Sequence, residues 1–485
     1  MEKIKLRPYQ EDAVQAVRNS IKAKKARIVL CAPTGAGKTF IFSYISKMAM
    51  DKNSRVLICT DRVELLKQSG GALCMMGMEP KEIKSGSKLD DFLGHLYTAM
   101  VETLNRRLKD EKYQSLVASM DVIIFDEAHK QAFNKIMPFI SEKTVVIGVT
   151  ATPYRERNQK ALDEFYNALV EVTDIPQLIQ DGYLSRPLSY GVPVDLSSVG
   201  MKAGDFDLNA MGQEYSKNKV YRGVIENYLS LTPNKKAITF ASNIKSSQEL
   251  TFRMQEAGIN AKHLDSKMGK YERNSVLAWF HRTKDAVLNN VGILTTGFDC
   301  PEIEVVILYR ATTSLPLFLQ MVGRGSRIAP GKDEFTILDF GENIQRLGFW
   351  ETPRVWSLEK AKKKKKEQAA PVKNCPSCKA LVFASARICG YCDHEFEFTK
   401  EEEDQETISK LALLTPRERR SLARGASIEE KVAMAKSKLI KPYWVLHNLK
   451  SIEEAKFFAE KMGWNWRGWW YHNKERFPNL QKEGS

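Results

Sequence analysis

From Ala32 to Thr39 the chain reads APTGAGKT, an order of glycines, lysine and hydroxyl that suits a bound phosphate chain. Within Thr34, Gly35, Ala36 and Gly37, the two glycines let the backbone turn its N–H groups toward phosphate oxygens at a helix N-terminus. Lys38 is placed to reach the β- and γ-phosphates, and the Thr39 hydroxyl to ligate Mg²⁺. Further along, Asp126-Glu127-Ala128-His129 directly follows the apolar run Val122–Phe125. A carboxylate at the C-terminal end of a parallel strand shares a rim with the phosphate loop. There Asp126 would hold the magnesium through water, and Glu127 would polarise the attacking water. Each string alone has an ordinary structural explanation, a tight turn or a helix cap. In this order they predict nucleotide hydrolysis.

Four cysteines carry a second chemistry. Cys375, Cys378, Cys389 and Cys392 read CPSC and CGYC with ten residues between them. Each CxxC can form a tight knuckle presenting two thiolates, and two knuckles complete one tetrahedral Zn²⁺ site. Four thiolates leave no open position, so the zinc is expected to be structural, with the nearby His394 a bystander. Farther on, WNWRGWW (Trp464 to Trp470) with Tyr471, Lys474 and Arg476 could stack bases beside phosphate contacts. The same tryptophans would also serve as the core of a small domain, and most of them are assigned to core.

These groups need elements to hold them. Apolar runs at Arg27–Cys31, Arg55–Cys59, Val122–Phe125 and Val145–Val149 alternate with helical patterns such as Ala13, Val14, Ala16, Val17 and Ile21. Nearly unbroken apolar strands between helices predict a parallel α/β sheet covered on both faces. A second series, Ala237–Phe240, Val291–Leu294, Val305–Tyr309 and Phe335–Leu338, predicts a second lobe of the same class. The expected organisation is a nucleotide-binding lobe at 1–190, a second lobe at 191–356, a lysine-rich linker at 357–372, a zinc module at 373–400 and a basic, Trp-rich helical region at 401–485.

The motifs resemble those of the superfamily 2 helicases and translocases, which implies two tandem RecA-like lobes and ATP with Mg²⁺ as cofactor. Gln10, in LRPYQ, matches the glutamine that reads adenine in such motors. VLICTDRVELLKQ (Val56–Gln68) and YTAMVETL (Tyr97–Leu104) are similar to elements that contact the nucleic-acid strand, although Glu102 stands where glutamine is expected. Thr150-Ala151-Thr152-Pro153 matches the element coupling hydrolysis to lobe movement. In the second lobe AITFAS (Ala237–Ser242), Arg273 and LTTGFDCP (Leu294–Pro301) continue the series, and the resemblance turns Gly297 and Asp299 toward nucleotide and strand. Gln320-Met-Val-Gly-Arg324-Gly-Ser-Arg327 resembles QxxGRxxR, which supplies arginine fingers across the cleft. Arg324 and Arg327 are planar cations suited to the charge that builds on a γ-phosphate. ATP would therefore draw the lobes together, and its hydrolysis would release them.

Composition points to the partner. The net charge is +15, which favours a polyanion. No apolar run reaches the roughly 18–20 residues of a spanning helix, and MEKIKLRPYQ is no signal peptide, so a cytoplasmic protein with reduced thiols is expected. Residues from Arg354 onward carry a net +9 and the preceding 353 residues only +6. ATP chemistry is thus assigned to the lobes and electrostatic grip to the appendage. Two lobes followed by the run Lys360 and Lys362–Lys366, a four-cysteine module and a basic aromatic tail resemble the RadD-type branch of bacterial and phage repair helicases. That resemblance implies DNA over RNA, possible repair or replication partners, and action as a monomer. An RNA helicase, the motor subunit of a restriction system and a non-hydrolysing scaffold are the alternatives.

Overall fold

The computed structural model describes residues 6–61, 63–86, 91–153, 161–192, 196–202, 204–215, 218–295, 297–359, 369–396, 426–436, 440, 442–446, 448–449 and 451–464. Lys360 and Lys362–Lys366, the acidic stretch Glu401–Asp404, the Thr415–Arg420 segment, and Trp466, Trp469 and Trp470 lie outside the described residues. Two compact units are present, residues 1–383 and 384–485.

The first unit contains two parallel sheets. In the first sheet, chain order gives β1 (Arg27–Cys31), β2 (Val56–Thr60), β3 (Lys81–Ile83), β4 (Leu96–Met100), β5 (Val122–Asp126), β6 (Val145–Thr150) and β7 (Ala168–Glu171). Their spatial order is β3-β4-β2-β5-β6-β1-β7. The central strands are apolar on both faces because helices cover both. Ile28 and Leu30 pack into one cluster with Ile41 and Phe42, whereas Val29 faces the opposite cluster with Phe125 and Phe133. The helix Pro8–Lys22 starts with proline at its first position and buries Ala13, Val14 and Val17.

The order of these strands positions the chemistry. β6 pairs with β1 on one side and β5 on the other, with Cys31 opposite Thr150 and Asp126 opposite Val149. Three adjacent parallel strands therefore end at one rim. They carry the phosphate loop, the Asp126–His129 turn and the Thr150–Pro153 segment. The Ala32 N–H donates to the Thr150 carbonyl at 3.0 Å, joining two of these loops directly.

The second sheet holds β8 (Arg186–Gly191), β11 (Ala237–Ala241), β12 (Ala261–Leu264), β13 (Val287–Asn290), β14 (Val305–Tyr309) and β15 (Glu334–Asp339), in the order β12-β13-β11-β14-β15-β8. Two positions correct the sequence reading. Arg186–Gly191 pairs with β15, so the second sheet takes up chain before the boundary expected at 190. The strand expected at Val291–Leu294 lies four residues earlier, as Val-Leu-Asn-Asn at 287–290. Its asparagines are fully buried, and their side-chain amide nitrogens donate to neighbouring groups. Asn289 donates to the Thr251 hydroxyl at 2.9 Å and Asn290 to the Thr239 carbonyl at 2.8 Å. After β8, a short hairpin, β9 (Met201–Lys202) and β10 (Asp205–Phe206), docks on the second lobe through Asp205, which accepts from the Thr312 hydroxyl at 2.6 Å and the Thr313 N–H at 2.7 Å.

In the second unit, helices Ile428–Lys436, Pro442–Leu446 and Ile452–Lys461 surround Val445, Leu446 and Phe458. Trp464 packs edge-on against Phe458 at 6.0 Å, a core role for this tryptophan. Among the described residues no helix is long and apolar enough to cross a membrane.

Candidate ATP site and cysteine cluster

The phosphate loop needs its glycines for backbone reasons. Gly35 and Gly37 take φ of +90° and +75°, and Gly37 precedes the helix Lys38–Met50. Its empty side also admits Gln10: a Cβ on Gly37 would lie 2.6 Å from Gln10 Nε2, which donates to the Ala36 carbonyl at 3.1 Å. Tyr9 donates to the same carbonyl at 3.2 Å. The Arg7 guanidinium lies 4.5 Å above the Tyr183 ring, whose edge contact with Tyr9 is 5.3 Å. Arg7, Tyr9 and Tyr183 thus form a platform beside the loop that the motif reading did not include. Tyr183 is remote in sequence, so only the flanking positions of Gln10 could have hinted at it.

Lys38 is folded onto its own loop, donating to the carbonyls of Ala32 (3.2 Å) and Pro33 (3.3 Å). Burial lowers its proton affinity, and the carboxylates of Glu127 and Asp126 work against that loss. Burial raises the Asp126 pKa, with the neighbouring Glu127 charge adding to the rise and Lys38 opposing it. Burial acts on Glu127 in the same direction but is overcome by His129, Lys38, Lys130 and Arg324, so its pKa is lowered. The two adjacent carboxylates titrate as a pair.

Glu127 has φ +57°, a left-handed conformation that costs a non-glycine residue roughly 1–3 kcal/mol. Bonds on either side hold it: its N–H donates to Asp126 Oδ1 at 3.1 Å, and the Ala128 N–H donates to the Val149 carbonyl at 3.0 Å. The following His129 joins the turn to the third loop. Its Nδ1 lies 2.8 Å from the Thr150 hydroxyl and 3.4 Å from Glu127 Oε2. That hydroxyl also accepts from the Thr152 N–H at 3.0 Å. His129 is thus a positioning residue, and its sequence signal was its place three residues after Asp126. Lys130 pairs with Asp61, tying the turn to the end of β2. Glu102, expected in a strand-contacting element, is exposed and pairs with Arg106 on its own helix at 3.7 Å.

The second lobe reaches this rim. A Cβ on Gly323 would lie 2.6 Å from Thr34 Cγ2, and one on Gly35 would lie 2.6 Å from Leu184 Cδ2. Gln320 and Arg324 are buried. Arg324 is close enough to perturb both Lys38 and Glu127. Its fork is anchored on its own lobe, donating to the carbonyls of Phe298 (2.6 Å) and Thr295 (2.7 Å). Arg327 shares the Phe298 carbonyl at 3.1 Å and pairs with Asp299 at 2.7 Å. The structure therefore gives Asp299 to Arg327, where the sequence reading turned it toward nucleotide. Gly297, at φ +73°, turns the chain between Thr295 and Phe298. Arg273 donates to the Ser266 carbonyl at 3.3 Å.

The sulfurs of Cys375, Cys378, Cys389 and Cys392 all lie within 4.8 Å of one another. Each CxxC sits in the same kind of turn. The Lys379 N–H donates to the Cys375 carbonyl at 2.9 Å, and the Asp393 N–H to the Cys389 carbonyl at 3.0 Å. Lys379 and Asp393, each following the second cysteine of its pair, are both left-handed, at φ 63° and 57°. Two like knuckles and a clustered thiol set fit a tetrahedral soft cation. His394 gives its carbonyl to the Cys389 N–H at 2.8 Å, while its ring meets Phe396 edge-on, the centroids 5.2 Å apart.

Comparison with known proteins adds to this geometry. Residues 3–155 match the family described as type III restriction enzyme, res subunit, and residues 220–329 match the helicase conserved C-terminal domain. A 51.5 kDa protein of a Lactococcus phage is 30% identical over 390 residues, covering 79% of this chain and 81% of that one. A Saccharomyces cerevisiae protein provisionally named as an ATP-dependent helicase is 30% identical over 357 residues, 69% of this chain. The chain spans about half of that relative, 51% of its length. The solved structure of the DEAD-box helicase Mss116 bound to ssRNA and UDP-BeF shares the fold, with a TM-score of 0.53 at 15% identity over 96% of this chain and 88% of that one.

Proposed function

The chain belongs to the superfamily 2 helicases, and from that membership we propose an ATP-driven motor that moves along DNA and remodels or unwinds it in repair, recombination or replication. The observation carrying this reading is Arg324, a second-lobe cation within electrostatic reach of Lys38 and Glu127 in the first. A site assembled from two lobes makes chemistry and lobe movement one process.

In this reading the N–H groups of Thr34–Lys38 cradle the phosphates and Gln10 holds the adenine side. Thr39 and Asp126 hold magnesium. A hard divalent cation suits Asp126, whose pKa is raised by burial and by the neighbouring Glu127 charge. The metal supplies charge neutralisation on the phosphates. Glu127 orients and polarises the attacking water, Arg324 meets the charge that develops, Arg327 braces the loop that presents it, and Gln320 lines the same edge. The four cysteines hold one structural zinc.

The basic excess suits either polynucleotide, and the Gln320 form of the last motif favours DNA over RNA. Steady-state ATP turnover measured with single-stranded DNA, duplex, forked DNA and RNA tests the reading. Stimulation by DNA above RNA is expected, and turnover that no polynucleotide raises would sink the motor.

Two further outcomes follow from the appendage. Replacing Lys362–Lys366 with glutamine is expected to weaken DNA binding and flatten the dependence of log K on log salt by up to about 4 units, if all five engage phosphates. An unchanged slope would remove the lysine run from the grip. Cys375→Ser is expected to lose the cluster's zinc and to open residues 372–396 to proteolysis, leaving basal ATP turnover in place. Metal analysis of the purified chain and limited digestion read both effects.

A further inference from the structure

Cys300 has no place in the ATP site, yet it is not alone. His281, at the end of the helix Lys270–Arg282, and Glu302, two residues past Cys300, each bring a ligand atom to it. The three atoms lie within 4.8 Å of one another. Cys300 Sγ is 3.3 Å from Glu302 Oε2. Cys300 is buried, whereas His281 and Glu302 are exposed and reachable from solvent.

We propose that His281, Cys300 and Glu302 form a second divalent-metal site, for zinc, with its fourth position open to water. The donor set selects the metal, because a thiolate beside an imidazole suits zinc while magnesium and calcium take oxygen shells. Bonds of about 2.0–2.3 Å place tetrahedral ligand atoms roughly 3.3–3.8 Å apart. Closing the present cluster takes side-chain movements of about an ångström, within reach of the two exposed residues. The thiol proton leaves to solvent, and thiolate plus carboxylate then balance the cation.

Both ligand-bearing backbones are already pinned. Lys236 donates to the carbonyls of Phe280 (2.7 Å) and His281 (3.2 Å), and Lys332 to those of Pro301, Gly325 and Arg327, each at 2.7 Å. These ammonium groups also repel a cation, so the site needs both its anionic ligands, and Glu302 is as necessary as Cys300. Metal here would staple the helix end to the loop whose Phe298 carbonyl and Asp299 carboxylate hold Arg324 and Arg327. The site would then restrain those arginines, a consequence that rests on the motor reading; the metal site itself does not.

The test counts zinc bound by the full chain in a zinc buffer, for wild type, His281→Ala and Glu302→Gln. Both substitutions fall on exposed side chains outside the ATP site. The expected result is one zinc fewer per chain in each variant, with the four-cysteine zinc retained. Equal zinc counts in all three would overturn the site. Zinc added beyond the four-cysteine equivalent is expected to slow DNA-stimulated turnover in wild type and not in the variants. Equal responses despite a lost zinc would overturn the restraint, and a chain with no turnover under any condition would count against the motor alone.

Discussion

Lys38→Ala is expected to lower DNA-stimulated ATP turnover by roughly 10²–10³-fold, the scale of removing one preorganised charge donor from a transition state. The ammonium now donates to the Ala32 and Pro33 carbonyls at 3.2 and 3.3 Å, longer than the ~2.7–2.9 Å of strong charge-assisted bonds. These loose contacts hold the cation in the loop without competing well against a phosphate. Alanine removes the only one of the positive groups acting on both Asp126 and Glu127 that lies inside the phosphate loop. The carboxylate pair then holds its proton more tightly, and Glu127 loses part of the field that keeps it charged. Lys38→Arg retains the charge but replaces a compact ammonium with a planar fork, so it is expected to restore little. Phosphate release at saturating DNA reads the effect, and DNA binding without nucleotide serves as the control. Wild-type turnover in Lys38→Ala would overturn the assignment of the loop.

The placement of the candidate site was legible in sequence wherever it is local. APTGAGKT and Asp126–His129 state both their residues and their strand ends, and adjacency of β1, β6 and β5 puts them on one rim. Apolar runs identified seven of the strands to within a residue or two, because a parallel strand buried on both faces has few ways to be polar. The exception explains itself. The strand at 287–290 ends in two asparagines, and polarity moved the reading onto Val-Gly-Ile-Leu just after it. What their amide nitrogens donate to, the Thr251 hydroxyl and the Thr239 carbonyl, comes from elsewhere in the chain and leaves no local mark.

Pairings across the chain were invisible for the same reason. Arg7 on Tyr183, Lys130 with Asp61, and Asp299 with Arg327 join residues whose types alone suggest solvated charges. A motif reports that an arginine belongs at a site, but not what holds it before the substrate arrives. In this structure Phe298 and Thr295 carbonyls hold Arg324, and this bears directly on what its removal does.

Arg324→Ala is accordingly expected to cost about 10³-fold in turnover, at the lower end of what an arginine finger supplies. Arg327→Ala is expected to cost less. The two side chains share the Phe298 carbonyl, but Arg324 acts on Lys38 and Glu127, whereas Arg327 has Asp299 as its ionic partner. Arg324 therefore belongs to the chemistry and Arg327 to the loop that presents it. Removing either leaves the Phe298 carbonyl with one donor fewer, so the two losses should not add, and Arg324→Ala/Arg327→Ala should fall little below Arg324→Ala alone. ATP affinity should change far less than turnover, since charge on the γ-phosphate builds only as the bond breaks. Asp299→Ala separates the roles further. It frees Arg327 without touching Arg324, so turnover should fall no further than in Arg327→Ala. Full turnover in Arg324→Ala would break the link between the lobes on which the motor depends, and a larger loss in Arg327→Ala would exchange the two roles.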